Sequence, residues 1–406
     1  MNQTGTALIL IDTPLKHDNR VNTQIEAYKK RGFEIKVINV KKTKTSAAFR
    51  FFDLPANLIF FVAFIVRWLF AAFYCLPRYV HFWKNREMAR YKLAWFNLPP
   101  AYLYDTYVHL LRGRGYAVHH REELSDISVI HANDLAALSF AQALCRMTPS
   151  AQLVYDAHEL HPFRNRRNLS WLNGLFVASF ERLSTKRATL IIGPSLPCVA
   201  FTRLFCRGGA KIYKIVCNNF YERPATHFPL HDGDERAIFY IGTMIQGRGM
   251  ERLKAILERN PDIHGHIFSP EDDDKQRRRA EIFSGVSNAT IYFGSYNGVI
   301  EPILQRYNKR YGWLWLDDIC LSYHYAMPNK LFQYIAFGFH IIYPKSFYMR
   351  KFLEPHDLGI GLDGQENVRG LLEAFSVDTA DHNMRLDLFW ERYADATYSN
   401  AISRLF

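Results

Sequence analysis

The chain alternates short apolar runs with segments in which apolar residues recur at helical spacing. The runs of the first half are four to eight residues long and rich in Ile, Leu and Val, which is typical of buried strands. We predict strands at 7–12, 34–40, 128–132, 152–157, 188–194 and 213–218. Helices are predicted between them, at 20–32, 134–147 and 171–187. This alternation predicts a parallel sheet with helices on both faces.

A polar, Pro-containing stretch at 218–237 interrupts the pattern and is typical of a linker. The alternation then resumes, with predicted strands at 237–242, 264–270, 289–295, 318–323 and 339–344. We therefore expect an α/β protein of two doubly wound, Rossmann-like domains facing across a cleft, where ligands of such folds bind. The predicted parts are domain 1–218, linker 219–236, domain 237–379 and a final helix at 380–406 that crosses back to the first domain.

Composition supports a folded, reducing-compartment protein. The 406 residues exceed one ordinary core, and 49% are hydrophobic while 22% are charged. The six Cys form no CxxC pairs, so buried free thiols are expected rather than disulfides or a zinc site. The first apolar run, at 7–12, is too short for a secretory signal, so we expect a cytoplasmic location.

The formal charge of +12 favours an anionic partner. A nucleic-acid binder is one class that such a charge suits, and it would show steeply salt-dependent affinity. The sequence contains no helix-turn-helix, zinc-finger or RNA-recognition pattern, so we expect no nucleic-acid partner.

Residues 56–76 form the most apolar stretch of the sequence. Its length matches the roughly 20 residues that span a bilayer, but Arg67 at its centre would cost about 2.5–3.5 kcal/mol. The following residues, 77–92, alternate aromatic and basic side chains, which a headgroup layer attracts. We therefore expect an insert at about 50–95 whose 56–92 part lies on the inner face of the cell membrane. A helix buried within the domain and a transmembrane span are the alternatives.

Two segments of the second half suit an anionic ligand. Residues 240–251, "YIGTMIQGRGME", place a Gly-rich loop with Arg248 between a strand and a helix, so that backbone N–H groups can approach an anion. Residues 325–338, "YAMPNKLFQYIAFG", predict a helix with Pro328 at its first position and Gly338 just after it. Lys330 then lies in the first turn, where a cation is unfavourable unless an anion is bound. The alternative is an amphipathic helix with Lys330 in solvent.

Two further segments carry clusters of polar groups. Residues 154–168, "VYDAHELHPFRNRRN", place polar side chains directly after a predicted strand, at a cleft position. Their HxxH spacing could hold a metal, but no third ligand is evident, so hydrogen bonding is expected and no metal site is predicted. Residues 271–275, "EDDDK", contain the Asp-x-Asp spacing of metal-dependent sugar transferases, yet the charged context indicates the start of a surface helix.

These segments, in this order, resemble the GT-B glycosyltransferases, and specifically the family 4-like enzymes with a Pro-Asn-Lys motif. The segments that carry the resemblance are 17–38, 129–135, 153–160, 191–195, 216–219, 240–253 and 327–338. The resemblance implies a metal-independent, retaining transferase with no cofactor, since the nucleotide-sugar is a substrate. It implies donor binding by the second domain and acceptor binding by the first.

The resemblance also implies roles for particular residues. It assigns catalysis to His158, Arg248 and Lys330, with the two cations holding the donor diphosphate and the histidine near the transferred sugar. The implied donor-binding residues are Gly242, Thr243, Gly247, Arg248, Gly249, Pro328, Asn329, Lys330 and Gln333. The implied acceptor-side residues are Asp18, Arg20, Asp156, His158 and Glu159.

The sequence departs from the family at two positions. Gln333 stands where a Glu commonly accepts hydrogen bonds from the ribose, and Tyr325 stands where many members carry another Glu. With no evident carboxylate nucleophile, front-face displacement is the expected mechanism. We expect transfer to a lipid-linked or polysaccharide acceptor in bacterial surface-glycan synthesis (capsule, O-antigen or exopolysaccharide). The alternative is a non-catalytic GT-B-like scaffold in a membrane glycan-assembly complex.

Overall fold

The computed structural model describes residues 5–12, 19–43, 54–84, 100–164, 171–205, 212–215, 235–296, 298–345, 348–363 and 379–406. The chain divides into two compact units. Unit 1 comprises Met1–Asn219, Cys320–Ser322 and Asp395–Phe406, and unit 2 comprises Phe220–Ile319 and Tyr323–Ala394. Most of the predicted linker lies outside the described residues.

Unit 1 contains a six-stranded parallel sheet in the order β2-β1-β3-β4-β5-β6. Its strands are β1 (Thr6–Ile11), β2 (Glu34–Asn39), β3 (Ile127–Asn133), β4 (Gln152–Asp156), β5 (Ala188–Gly193) and β6 (Ile212–Ile215). All six correspond to predicted strands. Because β1 has β2 on one side and β3 on the other, the strand order reverses there, and polar groups at the carboxyl ends of these strands share one edge.

The described part of residues 19–205 contains seven α-helices, which lie between the strands of this sheet along the chain. They are α1 (Asn19–Lys29), α2 (Leu54–Lys84), α3 (Pro100–His119), α4 (Arg121–Leu124), α5 (Asp134–Met147), α6 (Trp171–Ser184) and α7 (Leu196–Phe205). The core on one sheet face is formed with α3, α5 and α6, and the core on the other face with α1. The predicted doubly wound architecture is therefore confirmed.

Helix α2 corresponds to the apolar insert and is 31 residues long. One face packs on the unit: the Trp68 ring stacks on Phe176 at 3.9 Å between centroids, and its indole N–H donates to the Phe176 carbonyl at 3.2 Å. Farther along the same face, Tyr79 stacks on Phe163 at 5.3 Å. Within the described part of the chain, no helix has both the length and the hydropathy needed to cross a membrane.

Unit 2 contains a second six-stranded parallel sheet, in the order β12-β11-β10-β7-β8-β9. Its strands are β7 (Arg236–Ile241), β8 (Ile263–Ser269), β9 (Ala289–Phe293), β10 (Lys309–Trp313), β11 (His340–Pro344) and β12 (Gly359–Leu362). Here the order reverses at β7, which lies between β8 and β10. The Gly-rich loop begins at the carboxyl end of β7, which is the ligand-binding position of such sheets.

The helices of unit 2 in the described residues pack on this sheet. They are α8 (Met250–Arg259), α9 (Asp274–Ala280), α10 (Ile300–Leu304), α12 (Asn329–Ala336), α13 (Arg350–Leu353) and α14 (Thr379–Arg392), while α11 (Leu321–His324) spans the boundary of the two units. The predicted final helix is divided: α14 ends at Arg392, and α15 (Tyr398–Ile402) belongs to unit 1. Tyr398, Ala401 and Ile402 complete the unit 1 core beside α1.

The strand predicted at 318–323 is wrong. Its last residues begin α11, and the strand that occupies this place in the sheet is β10, Lys309–Trp313. Two basic residues open β10 and a glycine interrupts it, so it lacks the apolar pattern of a central strand. The glycine is required because a Cβ at Gly312 would lie 2.5 Å from the Tyr334 ring.

Candidate functional site

The Gly-rich loop after β7 has backbone conformations that favour glycine. Gly242, Gly247 and Gly249 have φ angles of 142°, 88° and 67°, which L side chains rarely adopt. A Cβ on Gly242 would lie 2.3 Å from Cε of Lys330, so the missing side chain makes room for the lysine. Gly249 caps the start of α8, and a Cβ there would lie 2.4 Å from the Trp315 indole. The loop is therefore shaped around Lys330 and Trp315.

Helix α12 begins one residue later than the sequence predicts. Pro328 is the N-cap residue, with φ −71° and ψ 146°, and Asn329 is the first helical residue. No side-chain hydrogen bond caps this helix start, and the Leu331 N–H donates to the Pro328 carbonyl at 2.9 Å. At the other end Gly338 has φ 72°, and the N–H of Phe339 donates to the Tyr334 carbonyl at 2.9 Å. This confirms Gly338 as the residue that terminates the helix.

Tyr334 fixes α12 against the sheet. Its hydroxyl accepts from the Ile241 N–H at 3.0 Å and donates to the Trp313 carbonyl at 3.3 Å. Ile241 is the last residue of β7 and Trp313 is the last residue of β10, the neighbouring strands at which the strand order of this sheet reverses. Tyr334 therefore holds the first turn of α12 beside the Gly-rich loop.

Side-chain nitrogens of Arg248, Gln333 and Lys330 lack acceptors among the described residues. The buried Nε of Arg248 and Nε2 of Gln333 have no hydrogen-bond partner, and the Nζ of Lys330 enters no ion pair in the described part of the chain. Lys330 instead lies over the Tyr240 ring, 3.8 Å from its centroid. Burial lowers the pKa of Lys330 well below its ordinary value, and the nearby Arg248 guanidinium lowers it further. An anion would relieve both effects.

The other predicted donor-side residues lie in the same loop and helix. The Thr243 carbonyl accepts from the Tyr240 hydroxyl at 2.7 Å, and the Gly247 carbonyl accepts from the Asp317 N–H at 2.8 Å. These contacts fix the loop on both sides of its apex. Asn329 is exposed at the start of α12.

In unit 1, two of the predicted acceptor-side residues, Arg20 and His158, lie around Asp156 at the carboxyl end of β4. The Arg20 guanidinium donates from Nη2 to Asp156 Oδ1 at 2.5 Å, and both residues are buried. Burial alone would raise the pKa of Asp156, but the Arg20 charge together with His131 and His158 holds that pKa well below its usual value. Asp18 lies outside the described residues.

Two partners of this carboxylate, Gln24 and Tyr398, were not predicted, and neither was Asn133, which Gln24 also contacts. Gln24 Nε2 donates to Asp156 Oδ2 at 2.7 Å and to Asn133 Oδ1 at 2.8 Å, and the Tyr398 hydroxyl donates to Asp156 Oδ2 at 2.5 Å. Gln24 lies one turn after Arg20 on α1, so the helical spacing indicates it. Asn133 ends the neighbouring strand β3, which the strand prediction indicates. Tyr398 carries no local signal.

His158 lies at the rim of the same group. It is partly exposed, and its Nε2 is 3.3 Å from Asn133 Oδ1 and 4.0 Å from Asp156 Oδ2. His131 is fully buried on the other side, 3.9 Å from Asp156 Oδ2, and burial lowers its pKa. His158 is therefore the imidazole of this group that remains accessible.

His161 and Glu159 join Asp134 in a second cluster, whose ligand atoms all lie within 4.8 Å of one another. The cluster contains only one histidine of the HxxH segment, His161, because His158 lies near Asn133 and Asp156 instead. His161 pairs with Asp134, and Arg164 pairs with Glu159 at 3.2 Å. Burial alone would lower the pKa of His161, but Asp134 outweighs it and raises the pKa.

The Asp-x-Asp segment is the start of helix α9. The Asp273 carboxylate accepts from the Gln276 N–H at 2.7 Å and caps the helix, and Asp272 pairs with Arg277 at 2.6 Å. This confirms the interpretation of the segment as a capped surface helix.

The sequence matches no protein-family model and no curated protein. Solved structures are similar over nearly the whole chain. Sucrose-phosphate synthase from Thermosynechococcus elongatus and the trehalose-6-phosphate synthase OtsA match with TM-scores of 0.62 and 0.61, each at 13% identity and 98% coverage of both chains. The lipopolysaccharide outer core galactosyltransferase WaaB matches at 0.52, with 12% identity and 100% coverage of both chains.

The chain has the GT-B fold. Of the two units, unit 2 contains the Gly-rich loop, Arg248 and Lys330. Unit 1 contains Arg20, Asp156 and His158. The structure thus brings together the predicted donor-side cations within one unit and the predicted acceptor-side residues within the other.

Proposed function

We propose that this protein is a glycosyltransferase that moves a sugar from a nucleoside-diphosphate sugar to a glycan or lipid-linked acceptor in bacterial surface-glycan synthesis. The observation that carries the proposal is the pair of cations in unit 2, Lys330 and Arg248, which have no carboxylate partner among the described residues and belong to a Gly-rich loop and an uncapped helix start. A diphosphate supplies the missing negative charge and accepts from these donors. Similarity of fold to three sugar transferases supports the same activity.

The proposed donor site uses the sequence-predicted residues. Lys330 and Arg248 bind the diphosphate, and backbone N–H groups at Asn329 and in the Gly-rich loop complete its coordination. Gln333 contacts the ribose through its buried amide. We assign the protein to the family 4-like, Pro-Asn-Lys group of retaining, metal-independent enzymes on this motif.

The proposed reaction is a front-face displacement. The bond between the anomeric carbon and the diphosphate oxygen breaks, and the acceptor hydroxyl oxygen bonds to that carbon from the same face. The hydroxyl proton passes to the departing diphosphate, whose charge Lys330 and Arg248 stabilise. His158 contacts the transferred sugar, and Asp156 positions the residues around it.

A donor-panel assay tests the proposal. The full-length protein is incubated with common UDP- and GDP-sugars, and released nucleotide is measured with and without membrane extract as acceptor source. We expect one donor to be turned over and Lys330→Ala to reduce turnover about 100-fold or more. Lys351→Ala removes an exposed cation of the same unit and serves as the matched control. Failure of every donor, with no effect of Lys330→Ala, contradicts the proposal.

A non-catalytic GT-B scaffold is the second candidate, favoured by Gln333 and Tyr325 in place of carboxylates. Calorimetric titration with UDP and GDP separates the two candidates. An enzyme binds one nucleotide and turns over its sugar, whereas a scaffold that has lost the donor site binds neither.

A further inference from the structure

A cavity of about 880 Å³ lies beside α2 in unit 1, apart from the residues discussed above. Helix α2, the end of α5 and the end of α6 with the turn after it form its walls. Apolar side chains from α2, α3 and β4, namely Ala71, Leu110 and Leu153, line its interior. Its volume is in the range of pockets that hold small molecules or lipid headgroups, roughly 300–1,000 Å³.

The cavity lining is strongly basic. Five cationic side chains line it, and the lining contains no carboxylate: Arg67, Arg146, Arg182, Lys186 and Arg187. The negative ends of α5 and α6 favour cations at those two helix termini. Arg67 has no such explanation, because it lies in the middle of α2. The surplus of positive charge is therefore a property of the cavity.

The cations of the cavity act on one another. Partial desolvation lowers the pKa of Arg146, and repulsion from Arg67 and Arg187 of the lining and from Arg114 outside it lowers that pKa further. Ser184 also lines the cavity; it is buried, and its Oγ finds no hydrogen-bond partner within the described ranges. A ligand with anionic oxygens would both offset the repulsion and accept from this hydroxyl.

An apolar stripe on α2 borders the cavity. Val62, Val66, Leu69 and Phe73 recur at helical spacing and are exposed, and Phe73 is 78% exposed. Phe70 connects the stripe to the cavity, which it lines while remaining 73% exposed. An exposed apolar stripe beside a basic pocket matches a surface that binds anionic lipids.

We propose that this cavity binds the phosphate headgroup of an anionic phospholipid while the α2 stripe enters the acyl region of the bilayer. A soluble phosphate or a nucleic acid would use the cations and leave the stripe in water, whereas an anionic lipid uses both. The inference extends the membrane contact that the sequence predicts for residues 56–92, and it does not depend on the proposed transferase activity. It assigns membrane contact to α2 together with Arg146, Ser184 and Arg187.

Vesicle flotation with the full chain tests this inference. We expect binding to vesicles made of equal parts phosphatidylcholine and phosphatidylglycerol, and much weaker binding to phosphatidylcholine alone. High salt should weaken the binding without abolishing it, because the apolar stripe is not screened. Equal binding to both kinds of vesicle, or binding to RNA in preference to either, would overturn the inference.

Two double variants separate the basic and apolar parts. Arg67→Gln with Lys186→Gln should weaken binding to the anionic vesicles roughly 30-fold, at about fivefold per cation. The matched control, Lys42→Gln with Arg121→Gln, removes two exposed cations elsewhere in unit 1 and should have a much smaller effect. If both double variants lost vesicle binding equally, the effect would depend only on the net charge of the protein, and the proposed headgroup site would be overturned.

The apolar pair is Phe70→Ser with Phe73→Ser. These side chains are largely exposed, so the unfolding temperature should not fall, while vesicle binding should weaken about tenfold or more. Its control is Val118→Ser with Leu196→Ser, two exposed apolar side chains outside the stripe. Unchanged binding in the Phe pair overturns the inference. Nucleotide-sugar turnover, measured in the same preparations, shows separately whether the proposed transferase activity holds.

Discussion

The two predicted binding regions treat buried charge in opposite ways. In unit 1, Asp156 is surrounded by donors from Arg20, Gln24 and Tyr398, so its charge is fully compensated. In unit 2, Lys330 and Arg248 lie near each other without a carboxylate partner in the described residues. Removing one partner of a compensated buried pair destabilises the fold, whereas two uncompensated cations are themselves unfavourable until an anion binds. The difference indicates which region is prepared for a charged ligand.

The largest expected effect is on the compensated side. Asp156→Ala leaves Arg20 buried without its carboxylate and should lower the free energy of unfolding by about 3–5 kcal/mol. Denaturant titration measures this. Glu26→Ala removes a carboxylate from an exposed pair with Lys29 and is the matched control, with an expected effect of about 0–1 kcal/mol. Equal effects of the two variants would mean that the buried network does not stabilise unit 1.

The pH dependence of this contribution has a definite sign. The pKa of Asp156 is lowered in the folded chain, so its contribution is fully present above the ordinary value of 3.8 and is lost as pH falls through the folded pKa. The stability difference between the native chain and Asp156→Ala should therefore shrink on acidification below about pH 4.

The uncompensated side should respond in the opposite way. Lys330→Met removes a charge that is costly to bury, so the free energy of unfolding should stay within about 0.5 kcal/mol or rise. Affinity for the nucleoside diphosphate should fall about 10- to 100-fold, because a charge-assisted contact is lost. Denaturant titration and calorimetry measure the two quantities. A marked loss of stability with unchanged affinity would show that Lys330 is structural.

Proton uptake on diphosphate binding tests whether Lys330 is an uncompensated cation. The pKa of Lys330 is lowered in the free chain, and a bound diphosphate should raise it again. Binding should therefore take up protons, up to about one per site, at pH values between the lowered pKa and the ordinary 10.5. Calorimetry in two buffers of different ionisation enthalpy measures the uptake. The Lys330→Met variant should lack it, and an unchanged uptake in that variant would assign the proton to another group.

The smallest expected effect concerns Gln333. Its buried Nε2 has no partner among the described residues, so Gln333→Glu replaces an unsatisfied donor with an acceptor near two cations. We expect nucleoside-diphosphate affinity to increase about fivefold, through charge-assisted hydrogen bonds to the ribose. Titration with the matching nucleoside monophosphate, which keeps the ribose, provides the control. Weaker binding in the variant would mean that Gln333 does not face the ribose.

Local signals predicted the backbone conformation of the Gly-rich loop and the ends of α12. Glycines at Gly242, Gly247 and Gly249 mark backbone conformations that other residues avoid, and Pro328 with Gly338 marks both ends of one helix. These features act within a few residues of chain, so the sequence displays them directly. The position of Lys330 over Tyr240 depends on Tyr334 anchoring the helix, which is a tertiary contact.

Long-range partners and atypical strands were not predictable in this way. Strand β10 opens with Lys309 and Arg310, yet Arg310 is buried, with its Nε donating to the Tyr307 carbonyl at 2.8 Å. Position in the centre of a sheet overrides the local pattern there. The apolar run at 318–323 has the composition of a strand, but β10 already fills its place between β7 and β11.

The contact of Tyr398 with Asp156 also determines when unit 1 can finish folding during synthesis. The two residues are 242 positions apart, so at about 5–20 residues per second the ribosome takes roughly 10–50 s to supply the tyrosine after the aspartate. During that interval all of unit 2 is made, while the sheet of unit 1 lacks α15. The first unit to begin folding is thus the last to be completed.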